Sequence, residues 1–536
     1  MMSLSLRFFY VLCLLYSNCL FGQDSLKNLP ELSLPISSEK LVIAHCMTNI
    51  IRYKGHPLED SGNPKYYTAE GNSSAPLGGL TQVKVMVDSL MANASLEESV
   101  EFEMRAALRS GIDGFQFYYT LGSTTDDEII LAYFRVAEKK NMKFKFTFCI
   151  SHPNGKTEAL KIEEFASRMN HILDVAGRDN PNWLRTPDGR LIVYLWDGEP
   201  LADIPSGEKR LPDQFYMARA YKRLADAVHE HFACVFTINK QISKTELNDF
   251  MDYFPATWIW TLPYSGENYI GFMVAAECKR RQRSFTASVF NDFYTSKLLK
   301  KGTWDMYHHV EDAVQAGITH VERKYITTGL SYNFRKLIEF GIDQDVSLFN
   351  VITWNDYPEG HHLAPEVNHN EGFSILLNYY KSVWERLDSP YKNKDVAIVF
   401  FKKYKHSIQP KPFNIPVVAF QEEVIPAEWE DSIEVVTLLK APAFISLNGN
   451  LKKGTSGLSV LKFPMENGNI KVAVLRDQHQ VLGFLTPEGI TNKPYRSDRI
   501  TYTYSSEFKA FYKDLYKGFK PLYSSEYNLD FHENNK

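Results

Sequence analysis

Asp356 and Glu359 are two carboxylates three residues apart, and Trp354, Asn355, Tyr357, His361 and His362 crowd around them in the stretch VSLFNVITWNDYPEGHHLAP, Val346 to Pro365. Paired acids are what hydrolysis of a sugar linkage requires. One gives a proton to the leaving oxygen, the other accepts one, and unequal surroundings push their acidities apart. The neighbouring aromatic rings offer flat apolar faces on which a pyranose can stack. Five of the eight residues from Val346 to Thr353 are apolar, the profile of a buried strand that ends in a polar, reactive loop. On residue types alone a purely structural reading stands beside this one, with Asp356 capping a helix and the loop packing against it.

A strand end is a useful platform only inside a sheet, and the chain supplies one. Strand-like runs occur at Lys40–Ile50, Gly111–Thr120, Lys143–Ser151, Leu191–Trp196, Cys234–Ile238, Thr257–Leu262, Ser284–Phe290 and Val346–Trp354. Helix-like stretches separate them, the clearest being SLEESVEFEMRAALRS with Ser95 as its cap. Eight such units predict a (β/α)8 TIM barrel, whose chemistry belongs at the C-terminal strand ends. Two long excursions, Arg52–Met91 after the first strand and Thr295–Thr328 after the seventh, are candidate cleft walls or plain solvent loops. Beyond Asp388–Lys394, a turn-rich linker, short runs such as VAIVFF, DSIEVVTLL and NIKVAVLRD predict a C-terminal antiparallel β-sandwich domain. The expected division is 1–23 leader, 24–390 barrel and 395–536 sandwich.

The leader reading rests on Arg7 ahead of FFYVLCLLY, an apolar run too short to anchor in a bilayer, with cleavage near Gly22 or Gln23. It implies a secreted or periplasmic protein with no stable membrane insertion; a lipoprotein through Cys19 is the weaker alternative, because Tyr16, Ser17 and Asn18 make a poor approach to it. A formal charge of −4 from 60 basic and 64 acidic residues provides no field for nucleic acid. A neutral polysaccharide or oligosaccharide suits it better, and aromatic residues at 14% fit a sugar cleft as well as a large core. Cys46, Cys149, Cys234 and Cys278 show no metal-binding spacing and read as buried thiols. No metal set, phosphate loop or cofactor motif is evident, so no cofactor is expected.

The run ITWNDYPEGHHLAP resembles the ISWNDYGESHY-like segment that closes the last barrel strand of glycoside hydrolase family 71, the endo-acting alpha-1,3-glucanases often called mutanases. AHCM at Ala44–Met47 is similar to that family's AHFM-type first strand, GIDGFQF at Gly111–Phe117 to its GIDAFAL-type second, and VFNDFYTS at Val289–Ser296 to its SPWFYTN-like seventh. DSIEVVTLLKAPA, Asp431–Ala443, is similar to its DxVxVxxLLTAPA stretch, so the resemblance runs in order from Lys40 to Leu475. It implies catalysis by Asp356 and Glu359 with inversion, Asp356 as base and Glu359 as acid or the reverse. Inversion would place their carboxyl groups roughly 6.5–9.5 Å apart.

By position, His45, Asp113 and Asp197 fall where the family carries a His and two acidic residues, and one of His361 and His362 matches its His after Glu-Ser. The resemblance therefore implies that these bind or orient substrate; Trp354, Asn355 and Tyr357 beside the acids, and Asn291 and Tyr294 at the end of strand seven, are the further candidate substrate-binding residues. Plainer readings stand alongside: a core histidine at His45, a strand-end Asp-Gly at Asp113, a DGEP turn at Asp197. Trp258 and Trp260 share a face of strand six, as core or as sugar platform. Pro358, Gly360 and His362 replace the family's Gly, Ser and Tyr, and the acidic residue expected after the strand-six Trp is missing; these departures bear on glycan specificity. An endo-alpha-mannanase-like hydrolase and a non-catalytic carbohydrate-binding protein are the alternatives.

Overall fold

The computed structural model describes residues 36–56, 91–121, 125–151, 157–196, 201–206, 211–295, 298–299, 306–307, 315–317, 321–364, 366, 369–408, 417–422, 425–494 and 499–515. The expected leader, most of the Arg52–Met91 excursion and Asp197 lie outside them.

Eight parallel strands close into a barrel: β1 (Leu41–Met47), β2 (Gly114–Tyr119), β3 (Lys145–Ile150), β4 (Leu191–Leu195), β5 (Phe232–Ile238), β6 (Ala256–Ile259), β7 (Ser284–Val289) and β8 (Leu348–Val351). β8 pairs with both β7 and β1, with Leu41 opposite Leu348 and Asn350 opposite Ser288. Helices cross between strands in the right order: α1 (Leu96–Arg109), α2 (Thr125–Lys139), α3 (Glu158–Ala176), α4 (Asp213–Val228), α5 (Lys244–Tyr253), α6 (Ile270–Arg280), α7 (Tyr332–Asp343) and α8 (Gly372–Glu385). The barrel read from the sequence is thus present strand for strand. Ser95 caps α1 in a reciprocal capping box with Glu98, as its spacing predicts. The strands are mostly apolar because both faces are covered, by helices outside and packed side chains inside, with buried polar residues such as Gln116, Thr147, Thr286, Ser288 and Asn350 among them.

Downstream, β9 (Val396–Phe401), β10 (Ser432–Leu439), β11 (Ala443–Leu447), β12 (Asn450–Gly454), β13 (Gly457–Pro464), β14 (Gly468–Arg476), β15 (His479–Ile490) and β16 (Tyr502–Ser505) form two four-stranded antiparallel sheets. In β9 the alternation of a strand decides the architecture. Ala397, Val399 and Phe401 enter the sandwich core, while Val396, Ile398 and Phe400 join the barrel core. That is why VAIVFF is apolar at every position. The final helix, α9 (Phe508–Leu515), also belongs to the barrel core through Phe508, Phe511, Tyr512 and Leu515.

The excursion after β7 is partly built into the fold. Its strand Val321–Ile326 pairs in parallel with Val417–Glu422 from the C-terminal region. Nearby, a buried ionic network joins the two halves: Lys402 of the sandwich lies 3.2 Å from Asp292 and 3.6 Å from Glu430, all with inaccessible side chains. Glu430 accepts from the Thr328 and Gly329 N–H groups at 2.9 and 3.0 Å and from the Tyr325 hydroxyl. Among the described residues, the four cysteines Cys46, Cys149, Cys234 and Cys278 are buried free thiols.

Candidate active site

The loop that leaves β8 folds back on itself at the C-terminal mouth of the barrel. Trp354 N–H donates to the His45 carbonyl at 2.7 Å, Thr353 N–H to the His361 carbonyl at 2.9 Å, and Asp356 N–H to Thr353 Oγ1 at 2.9 Å. Tyr357–Glu359 make a single 3-10 turn that ends on Gly360 at φ 71°, a conformation that glycine adopts without strain. A β-carbon there would stand 3.1 Å from the backbone N and O of Tyr294. The Tyr294 N–H holds the Glu359 carbonyl at 2.9 Å.

This turn brings the two acids together. One carboxylate oxygen of Asp356, one of Glu359 and one ring nitrogen of His361 lie within 4.8 Å of one another. Asp356 is half-buried and the Glu359 side chain is 20% exposed, whereas His361 is sealed. His361 Nε2 is 3.2 Å from Glu359 Oε2 and its Nδ1 is 3.1 Å from Thr353 Oγ1. With the Thr353 oxygen accepting from Asp356 N–H and its hydroxyl proton given to Nδ1, the ring carries its proton on Nε2 and donates it to Glu359. One oxygen of each carboxyl group lies within 4.8 Å of one of the other; the spans of roughly 6.5–9.5 Å for inverting and roughly 5–5.5 Å for retaining acids are between whole carboxyl groups.

Aromatic side chains from neighbouring strands wall the site. Trp260 meets His361 edge-on at 5.9 Å, His45 at 5.1 Å and Trp196 at 4.3 Å. Trp196 and Tyr118 are half-buried, while Trp258, deeper and fully enclosed, belongs to the core. Burial drives the His45 ring down to about 3, so it is neutral. Gln116 faces it from the aligned position on β2, and that contact favours the charged form without outweighing burial. The contact falls short of full hydrogen-bond geometry: His45 Nδ1 and both amide atoms of Gln116 are buried without a well-placed partner. Burial first, and the charges of Asp356 and Glu359 among lesser causes, pushes the Tyr118 hydroxyl upward, so it stands near the pair as a neutral donor.

The other residues marked in the sequence sort into supports and displacements. Asn355 ties the β8 loop to the end of β1, accepting from Met47 N–H at 2.7 Å and donating to the Met47 and Ile50 carbonyls. Trp354 is not a sugar platform. It is buried behind the barrel, its Nε1–H on Glu103 at 2.5 Å. Asp113 precedes β2 at the opposite, N-terminal end, where it accepts from Val42 N–H at 2.9 Å and pairs with Lys381 at 2.5 Å; a strand that runs toward the site cannot present its first residue there. Asn291 donates to the His362 carbonyl at 2.8 Å, and Tyr294 is buried against Tyr325. Tyr357 packs inward on His362 with rings 4.6 Å apart. Burial, only partly offset by Glu366, takes His362 down to about 4.

Sequence reasoning missed Tyr118, Gln116 and Thr353. The signal was faint: a glutamine in an apolar strand, GFQFYY, with a tyrosine two residues on and so on the same face. It also missed a second set of ligating side chains, His362, Glu366 and His369, within 4.8 Å of one another, because a His-x3-Glu-x2-His spacing has no family of motifs behind it here.

No protein-family model matches the chain, and no curated protein does. Solved structures overlay in part. The GH99 endo-alpha-mannosidase from Bacteroides thetaiotaomicron is 12% identical with a TM-score of 0.40, covering 65% of this chain and 98% of that one. A glycosyl hydrolase family 2 member from Bacteroides cellulosilyticus is 14% identical with a TM-score of 0.38, covering 77% and 46%. A GH113 beta-1,4-mannanase is 10% identical with a TM-score of 0.32, covering 53% and 92%.

Proposed function

We propose that this protein is a glycoside hydrolase that cuts an alpha-linked polysaccharide, with alpha-1,3-glucan as the substrate, within the chain. The observation that carries the reading is the partly exposed Asp356–Glu359 pair at the C-terminal mouth of a closed barrel, oriented by His361 and walled by Trp196, Trp260 and Tyr118. Two carboxyl groups this close favour a single negative charge and one shared proton. The bond from His361 favours the charge on Glu359, which leaves the proton to Asp356. Asp356 then protonates the glycosidic oxygen as its bond to the anomeric carbon breaks and Glu359 attacks that carbon; the ionised Asp356 next takes a proton from the water that releases the sugar from Glu359, so the anomeric configuration is retained. The choice of glucan rests on the resemblance of WNDYPEGHH to the mutanase segment, and placement outside the cytoplasm on the leader reading.

The test is incubation of the full chain with a panel of alpha-glucans and alpha-mannans, followed by proton NMR of the first products. Alpha-1,3-glucan oligosaccharides with retained anomeric configuration are expected. Cleavage of mannan alone would overturn the substrate, inverted products the stereochemical assignment, and binding without products the enzymatic reading itself.

A further inference from the structure

Beneath the catalytic turn, the chain from His362 to His369 brings two imidazoles and a carboxylate together in the interior. His362, Glu366 and His369 are 2%, 3% and 0% exposed. His362 Nε2 lies 3.3 Å from Glu366 Oε1, and His369 Nδ1 lies 3.8 Å from that same oxygen. A short segment has therefore aimed three ligating atoms at one point, away from solvent.

Three of the four ring nitrogens are poorly used by the protein itself. Neither nitrogen of His362 has a partner with hydrogen-bond geometry, nor does Nε2 of His369. His369 Nδ1 lies 3.0 Å from the His362 carbonyl and 3.2 Å from Asn291 Nδ2; because Asn291 Nδ2 also donates to that carbonyl at 2.8 Å, a metal on Nδ1 would leave the carbonyl with its donor. On its other side, His369 Nε2 faces Asp292 Oδ2 at 3.5 Å. A carboxylate behind the far nitrogen of an imidazole is the arrangement that orients a metal-bound histidine and strengthens it as a ligand. Lys402 Nζ, 3.2 Å from Asp292 Oδ1, and the Thr501 N–H on Oδ2 hold that carboxylate in place. Glu366 is itself fixed by accepting the N–H of His369 at close range.

We propose that His362, Glu366 and His369 bind one divalent transition-metal ion, zinc by the chemistry of the donors, as a structural centre under the active-site turn. Two imidazoles and one carboxylate form a set that zinc takes with water in its fourth position. The ion would lock the turn from below, since His362 packs on Tyr357 at 4.6 Å and follows directly on His361. It lies apart from Asp356 and Glu359 and takes no part in bond cleavage.

The experiment is elemental analysis by inductively coupled plasma mass spectrometry of the full chain, expressed and purified with zinc chloride present, beside the variants His362→Gln and His369→Gln. About one equivalent of a divalent transition metal is expected in the parent and none in either variant. Zinc K-edge absorption of the parent should show two imidazole ligands with oxygen completing the shell. The melting temperature should fall on treatment with a strong chelator and recover when zinc alone is restored. A parent chain without stoichiometric metal would overturn the proposal, as would metal retained in both variants or an edge spectrum without imidazole. Should the variants fail to fold, the parent's metal content and edge spectrum decide. None of these readings depends on glycosidase activity.

Discussion

His361 Nε2 reaches Glu359 Oε2 at 3.2 Å from a ring that is itself sealed from solvent. A buried donor thus addresses a carboxylate that substrate can reach, and Thr353, 3.1 Å from Nδ1, sets which way the ring gives its proton.

Removal of that donor should affect turnover more than binding. His361→Leu is expected to lower kcat by about 10- to 100-fold, the loss of one hydrogen bond to a charged group, with KM little changed. His361→Gln keeps an N–H in reach and should recover much of the rate. Equal rates in both variants would show that the ring acts only by packing.

Asp356→Asn should lower kcat/KM by about 10²- to 10⁴-fold, the range for a positioned acid or base, and Glu359→Gln, which removes the attacking carboxylate, by at least as much. Far-UV circular dichroism should stay unchanged, because both side chains stand at the mouth of the barrel and leave its core intact. Near-normal turnover in either variant would remove that residue from the mechanism.

Glu103 should make stability fall as pH rises. Burial first, partly offset by the Trp354 N–H, lifts its carboxyl from 4.5 to about 7. A raised acid binds its proton more tightly in the folded state, so folding is favoured at low pH and that advantage is lost between about pH 4.5 and 7. Glu103→Gln keeps an acceptor for Trp354 and removes the titration. It should gain up to ~3 kcal/mol over the parent at pH 8 relative to pH 4, read by urea melts at both. Glu371, also raised by burial to about 7, leaves a residual slope of the same sign. An unchanged difference between the two pH values would refute the role of Glu103.

Lys402→Met should destabilise the fold by roughly 3–5 kcal/mol, the cost of leaving a buried partner charge uncompensated. Asp292 and Glu430 would both lose their cation at 3.2 and 3.6 Å. Because Asp292 also backs His369, the melt should lose cooperativity between barrel and sandwich, seen as separate transitions by calorimetry. A single sharp transition at the parent temperature would show that the network is dispensable.

Much of this was legible in order along the chain. A strand buried on both faces is mostly apolar, and a helix must repeat at 3.6 residues, so the eight βα units announced themselves without tertiary knowledge. Asp356 and Glu359 stood out because charged residues directly after an apolar strand have few structural uses. The misplacements share a cause. Asp113 and Trp354 sit beside the right strands, but nothing in one dimension tells the start of a strand from its mouth, or the inward face of a loop from the outward one.

The sequence by itself determined the barrel, the sandwich and the loop that bears the acids, since periodicity and turn residues are local properties that short windows of chain express. Only the tertiary structure decided the distance between Asp356 and Glu359, the sealing of His361 behind them and the convergence of His362, Glu366 and His369. Those depend on where the β8 loop is pinned by Met47, Tyr294 and Asn291, contacts between segments far apart in the chain, and no local pattern encodes the angle at which they meet.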